Sequence, residues 1–165
     1  MPSSAAPPQS GDPSSPVTQV RAALRRIEQT TNGTVLPSVV TQEWRVLTGP
    51  PRCALVALDA RATPRVLALD TAGASAPFQF DPTDGALLMR HKVPTLITEE
   101  LADDPEAAWL ERLGAQALSL FPLGRDKDAR LVMLAEAPDK RGLALIDAQL
   151  LGLFADVVGR QLLAA

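Results

Sequence analysis

The chain has 165 residues, 46% apolar and 21% charged, the make-up of one globular domain that can bury a core without staples. One Cys and one His exclude an intrachain disulfide framework and a Cys/His zinc site, and no other metal centre is suggested. With 16 basic against 19 acidic residues, no Tyr and 4% aromatics, the chain lacks both the basic footprint and the stacking platforms of a nucleic-acid binder.

No apolar run approaches the roughly 20 residues of a membrane-spanning helix. The N-terminus has neither the basic nor the apolar region of an export signal. The expectation is a cytoplasmic protein without membrane contact. Asn32-Gly33-Thr34 matches a glycosylation sequon, but without export Asn-Gly reads as a turn. Residues 1–16 are rich in Ser and Pro and have little to bury, so they are predicted to be a disordered tail. It reads as a plain soluble tail, the alternative being a docking or phosphorylation segment. Residues 17–165 are the predicted folded domain.

Val17, Val20, Leu24 and Ile27 recur at spacings of three and four and predict a helix over Val17–Gln29. Arg21, Arg25 and Arg26 fall on its other faces and read as solvated. A second helix is predicted from about Pro37 to Leu47, with Leu36, Val39, Val40, Trp44 and Leu47 as its stripe and Gly49-Pro50-Pro51 as its stop. Cys53–Asp59 and Arg65–Asp70 read as strands, both nearly continuously apolar and hence expected to be covered on both faces. Phe78 and Phe80 alternate with Gln79 as a third short strand. Asp84–Arg90 reads as a short helix and Val93–Ile97 as a short extended piece. Glu99–Arg112 is strongly acidic; a helix starts near Pro105 and ends at Gly114. Ala117–Leu123 and Arg130–Glu136 are two further strands. The last helix, about Leu145–Leu163, carries two apolar lines, one of Ile146, Leu150, Phe154 and Val157, the other of Leu151, Val158 and Leu162.

In this order the pieces resemble the GAF domain family, from about Val17 to Ala165 and best from Phe78 onward. The resemblance rests on Phe78-Gln79-Phe80, Gly85–Arg90, Lys92-Val93-Pro94-Thr95-Leu96-Ile97, Asp103-Asp104-Pro105, Trp109–Gly114, Phe121-Pro122-Leu123, Arg130–Glu136 and Ile146–Leu163. It implies an α+β sandwich with a central antiparallel sheet of five or six strands. The first and last helices would pack on one face, and small helices over a pocket on the other.

Catalytic signatures are absent. Gly73-Ala74-Ser75-Ala76-Pro77 fails the nucleophile elbow at its last position, and no phosphate-binding loop occurs. Cys53 opens a predicted buried strand and reads as a small core residue. His91 is either a pocket-rim group or a surface residue between Arg90 and Lys92. The carboxylates of Glu99–Glu106 read as a solvated loop and helix start. The family's specialised signatures are also missing. The only Asn, Asn32, lies outside the region of the cyclic-nucleotide motif. Cys53 is followed by Ala54 rather than the His usual at bilin attachment sites, one Cys is too few for methionine-sulfoxide reduction, and one His is no haem motif. No cofactor is named by the sequence.

The resemblance leaves Phe78, Phe80, Met89, His91 and Trp109 as candidate pocket lining, or as side chains that simply fill the space. The second apolar line of the last helix, Leu151, Val158 and Leu162, predicts a homodimer interface, unless the Pro37–Leu47 segment covers it within one chain. The expected function is a non-catalytic regulatory module that binds a small molecule or a signalling protein partner. No output segment follows Ala165, so it is expected to act in trans. The alternative is an interaction subunit of the same fold with a filled pocket.

Overall fold

The computed structural model describes residues 15–73, 76–125, 129–137 and 148–164. Among the described residues five helices and five strands follow in the order α1 (Pro16–Glu28), α2 (Leu36–Thr48), β1 (Arg52–Leu58), β2 (Pro64–Thr71), α3 (Asp84–Arg90), β3 (Thr95–Thr98), α4 (Asp104–Leu113), β4 (Ala117–Arg125), β5 (Arg130–Glu136) and α5 (Ala148–Ala164). The strands form one antiparallel sheet in the order β2-β1-β5-β4-β3.

The two faces of β1 sort the core. All seven of its residues are buried. Cys53, Leu55 and Ala57 face a layer built from α1, α2 and α5, while Ala54, Val56 and Leu58 face α3 and α4. Side chains alternate along a strand, so a continuous apolar run demands two covering layers. On the second face Leu120 of β4 and Leu134 of β5 are register partners, both fully buried. Either Leu→Ala substitution is expected to cost about 2–5 kcal/mol, through lost transfer energy and the cavity left behind; urea unfolding measures it.

β2 departs from expectation. As an edge strand it is only partly covered, and Val66 and Leu69 are exposed. Its apolar composition could not report that only one side has a neighbour. Phe78–Phe80, expected as a strand, is irregular; Phe78 is instead held by packing into the core of the second face, its ring beside that of Phe80. Pro122 sits in β4 beyond the point where β3 stops pairing, at Leu120. It also stands at the register irregularity of β4 against β5, the kind of place a sheet tolerates proline.

Ser15 accepts from the Thr18 N–H and caps α1, and Pro16 opens the helix. Both belonged to the segment read as tail; the rest of that segment, 1–14, lies outside the described residues. So does Ile146 with the start expected for the last helix. Across α1 and α2, Arg26 makes a two-pronged contact with Glu43, its Nε 2.9 and 3.0 Å from the two carboxylate oxygens. Arg26 is therefore a tie between helices rather than part of a wholly solvated face. The Asn32-Gly33 turn holds as expected, with Thr34 N–H donating to Asn32 Oδ1.

The dimer residues are corrected by burial. Leu151 and Val158 lie in the core of one chain, at 4% and 0% exposure, and Leu162 packs half-buried against the same cluster. They are covered within the chain, where α5 packs chiefly on β4 and α1; α2 reaches the other apolar line, its Trp44 ring 5.7 Å from the Phe154 ring. α5 also lies close to β4: a Cβ on Gly159 would sit 1.9 Å from the Leu123 carbonyl oxygen.

Candidate functional site

α3 and α4 cover the second face of the sheet. The backbone of α3 packs against the β1–β2 turn, where a Cβ on Gly85 would come 1.5 Å from the Ala62 carbonyl oxygen. Only glycine permits that approach. α4 is set by its N-terminal sequence. Asp103 accepts from Glu106 N–H at 3.0 Å and Glu106 accepts from Asp103 N–H at 3.3 Å, a capping box, and Pro105 lies in the first turn. Gly114 closes the helix with φ 68°.

Two ion pairs and a histidine–carboxylate hydrogen bond join these elements. Arg112 of α4 reaches the buried Asp84 of α3, and also donates to the Gln79 carbonyl at 3.1 Å. Arg90 of α3 meets Asp103. His91, the residue that ends α3, places Nε2 2.8 Å from Glu106 Oε2. The Arg90 guanidinium first, then the Glu106 N–H, holds the Asp103 carboxyl below its ordinary range. Glu106 is itself buried, so the acidic stretch is not simply solvated.

Between α3 and α4 lies a cleft of about 520 Å³, lined by Leu87, Ala108, Trp109, Arg90 and Arg112 among others. Of the five residues expected to line a pocket, only Trp109 borders it. Phe78 is buried against the sheet and stacks edge-on with Phe80 at 6.1 Å. Met89 packs half-buried on the same cluster, and His91 is engaged with Glu106. Phe78, Leu88, Trp109, Leu110 and Leu113 fill the space above Ala54, Val56, Leu118 and Leu120. Asp84, Arg90, Glu106 and Arg112 escaped the sequence reading. The Asp103-x-x-Glu106 spacing was a legible signal for one of them. The indole N–H of Trp109 is buried without an acceptor. Among the described residues no three His, Cys, Asp or Glu side chains gather as a metal site would require.

No protein-family model matches the sequence, and no curated protein does. Solved structures do match. The phycoerythrobilin-bound GAF domain of a cyanobacterial phytochrome aligns with TM-score 0.68 at 13% identity, over 89% of this chain and 94% of that one. The chromophore-binding domain of a bacteriophytochrome from R. palustris aligns with TM-score 0.70 at 16% identity, over 90% of this chain and 61% of that one. The photosensory core module of the Stigmatella aurantiaca phytochrome aligns with TM-score 0.70 at 18% identity, over 99% of this chain but 39% of that one.

The fold is that of a GAF domain.

A bilin, the ligand of that first neighbour, does not fit the residues of this chain. The volume beneath α3 and α4 is taken by side chains, and the one thiol is on the wrong face. Cys53 points into the α1/α2/α5 layer at 1% exposure. Burial foremost, and then the Asp70 charge, pushes its thiol pKa far up. Native protein should therefore leave Cys53 unmodified by a thiol-reactive chromogenic disulfide, and react stoichiometrically only once unfolded in denaturant.

Proposed function

We propose that this GAF domain is a non-catalytic regulatory module that takes a small molecule between α3 and α4 and acts in trans on a protein partner. The observation that supports it is the α3–α4 cleft. It has an apolar floor at Trp109 and Leu87, Arg90 and Arg112 on its walls, and both helices tied by ion pairs that an occupant could reset. The chromophore-binding neighbours have the same fold. Native mass spectrometry of the purified chain tests for a retained molecule. Ala108→Trp, at an exposed cleft position, should abolish that retention while leaving the urea midpoint nearly unchanged.

A second reading, an interaction subunit with a filled pocket, is favoured by the close packing of Phe78, Leu88 and Trp109. It predicts no retained molecule and no thermal shift from a small-molecule panel.

A further inference from the structure

We infer that Arg125 and Arg130 form a binding site for a compact oxyanion, a phosphate or a terminal phosphoryl group, at the end of the β4–β5 pair where the chain passes from one strand to the other. Neither residue lines the α3–α4 cleft, and the site is independent of the function proposed for that cleft.

Three observations converge on these residues. Arg125 of β4 and Arg130 of β5 are direct register partners, and opposed residues of an antiparallel ladder place their side chains on one face, a few ångströms apart. Two guanidinium groups so placed repel each other, and neither is in an ion pair among the described residues. The other neighbour of Arg130 across the sheet is Leu58, a fully buried apolar residue that offers no acceptor. Finally, the Arg130 Nη1 is itself buried and has no hydrogen-bond acceptor.

A buried guanidinium nitrogen without an acceptor is costly, and a like charge opposite adds to the cost. One tetrahedral oxyanion would answer both. It offers acceptors to each planar fork, and phosphate is the anion whose geometry and charge suit two arginines. A monovalent halide offers no directed acceptor, so the site should distinguish phosphate from chloride at equal ionic strength.

The test titrates inorganic phosphate into the full chain, with sodium chloride holding ionic strength constant, and reads both melting temperature and phosphorus-31 line broadening. The expected result is a saturable rise in melting temperature with phosphate alone. Arg130→Gln and Arg125→Gln should each weaken binding about tenfold or more, the loss of a charge-assisted hydrogen bond. Arg125 is exposed, so Arg125→Gln should melt at or above the wild-type temperature without phosphate, which separates lost binding from lost folding. O-phosphoserine in a parallel titration distinguishes the sources: binding as tight as free phosphate points to a phosphoryl group on a larger molecule, and much weaker binding to the free ion. Equal effects of phosphate and chloride, or unchanged binding in both variants, would overturn the site. So would binding seen only in an Asp126→Asn/Asp128→Asn variant, since a carboxylate between the two strands in the sequence would then be the native acceptor.

Discussion

Trp44→Ala should cost about 3–5 kcal/mol of stability, the range of large aromatic truncations in a packed core. Trp44 is 1% exposed and stands where three elements meet. Its ring is 5.2 Å from Phe121 of β4 in an edge-on contact and 5.7 Å from Phe154 of α5. Truncation would leave a cavity between α2, α5 and the sheet, and would uncover the Phe154 line of α5. For a domain whose whole margin is commonly about 5–15 kcal/mol, this is a large fraction. Trp44→Phe should cost far less. It keeps most of the apolar volume and removes an indole N–H that is buried without an acceptor. Urea midpoints at constant m-value would report both substitutions. A Trp44→Ala loss below about 1 kcal/mol, small beside core truncations in general, would mean that α2 does not cover this layer.

Arg52→Met is the second large effect, expected at about 3–5 kcal/mol, because it strands a partner of a buried ion pair. Arg52 begins β1 and is 9% exposed. Its Nε donates to Glu136 Oε2 at 2.6 Å, one Nη donates to the Leu113 carbonyl at 2.8 Å, and the guanidinium lies 4.4 Å above the Phe78 ring. One side chain thus joins the end of β5, the end of α4 and the irregular segment before α3. Lysine should not substitute, since a single ammonium cannot reproduce a planar fork stacked on a ring. The double substitution Arg52→Met/Glu136→Gln should recover part of the loss, and the thermodynamic cycle gives the coupling. Additive losses would show that the pair contributes nothing beyond packing.

Local order was legible wherever one segment carried its own signal. The stripe of α1, the stops at Gly49-Pro50-Pro51 and Gly114, the short helix Asp84–Arg90 and the strand Arg130–Glu136 all follow from periodicity and punctuation within a dozen residues. The continuous apolar run of β1 required two covering layers before any layer was seen.

Only the tertiary structure could decide what each surface meets. β2 carries an apolar run, Val66–Leu69, as β1 does, yet its place at the sheet edge leaves Val66 and Leu69 exposed. The wide face of α5 was compatible with a second chain or with cover from its own chain, and β4, α1 and, at Phe154, Trp44 of α2 supply that cover. Arg52 and Glu136, 84 residues apart, carry no local sign of their pairing, nor do Arg26 and Glu43. The pocket suffered the same way: aromatic residues that could line a cavity or fill it have the same composition. Periodicity reports which side of an element is buried, because that follows from backbone geometry alone. The identity of the covering partner depends on contacts between distant segments, which only the assembled layers supply.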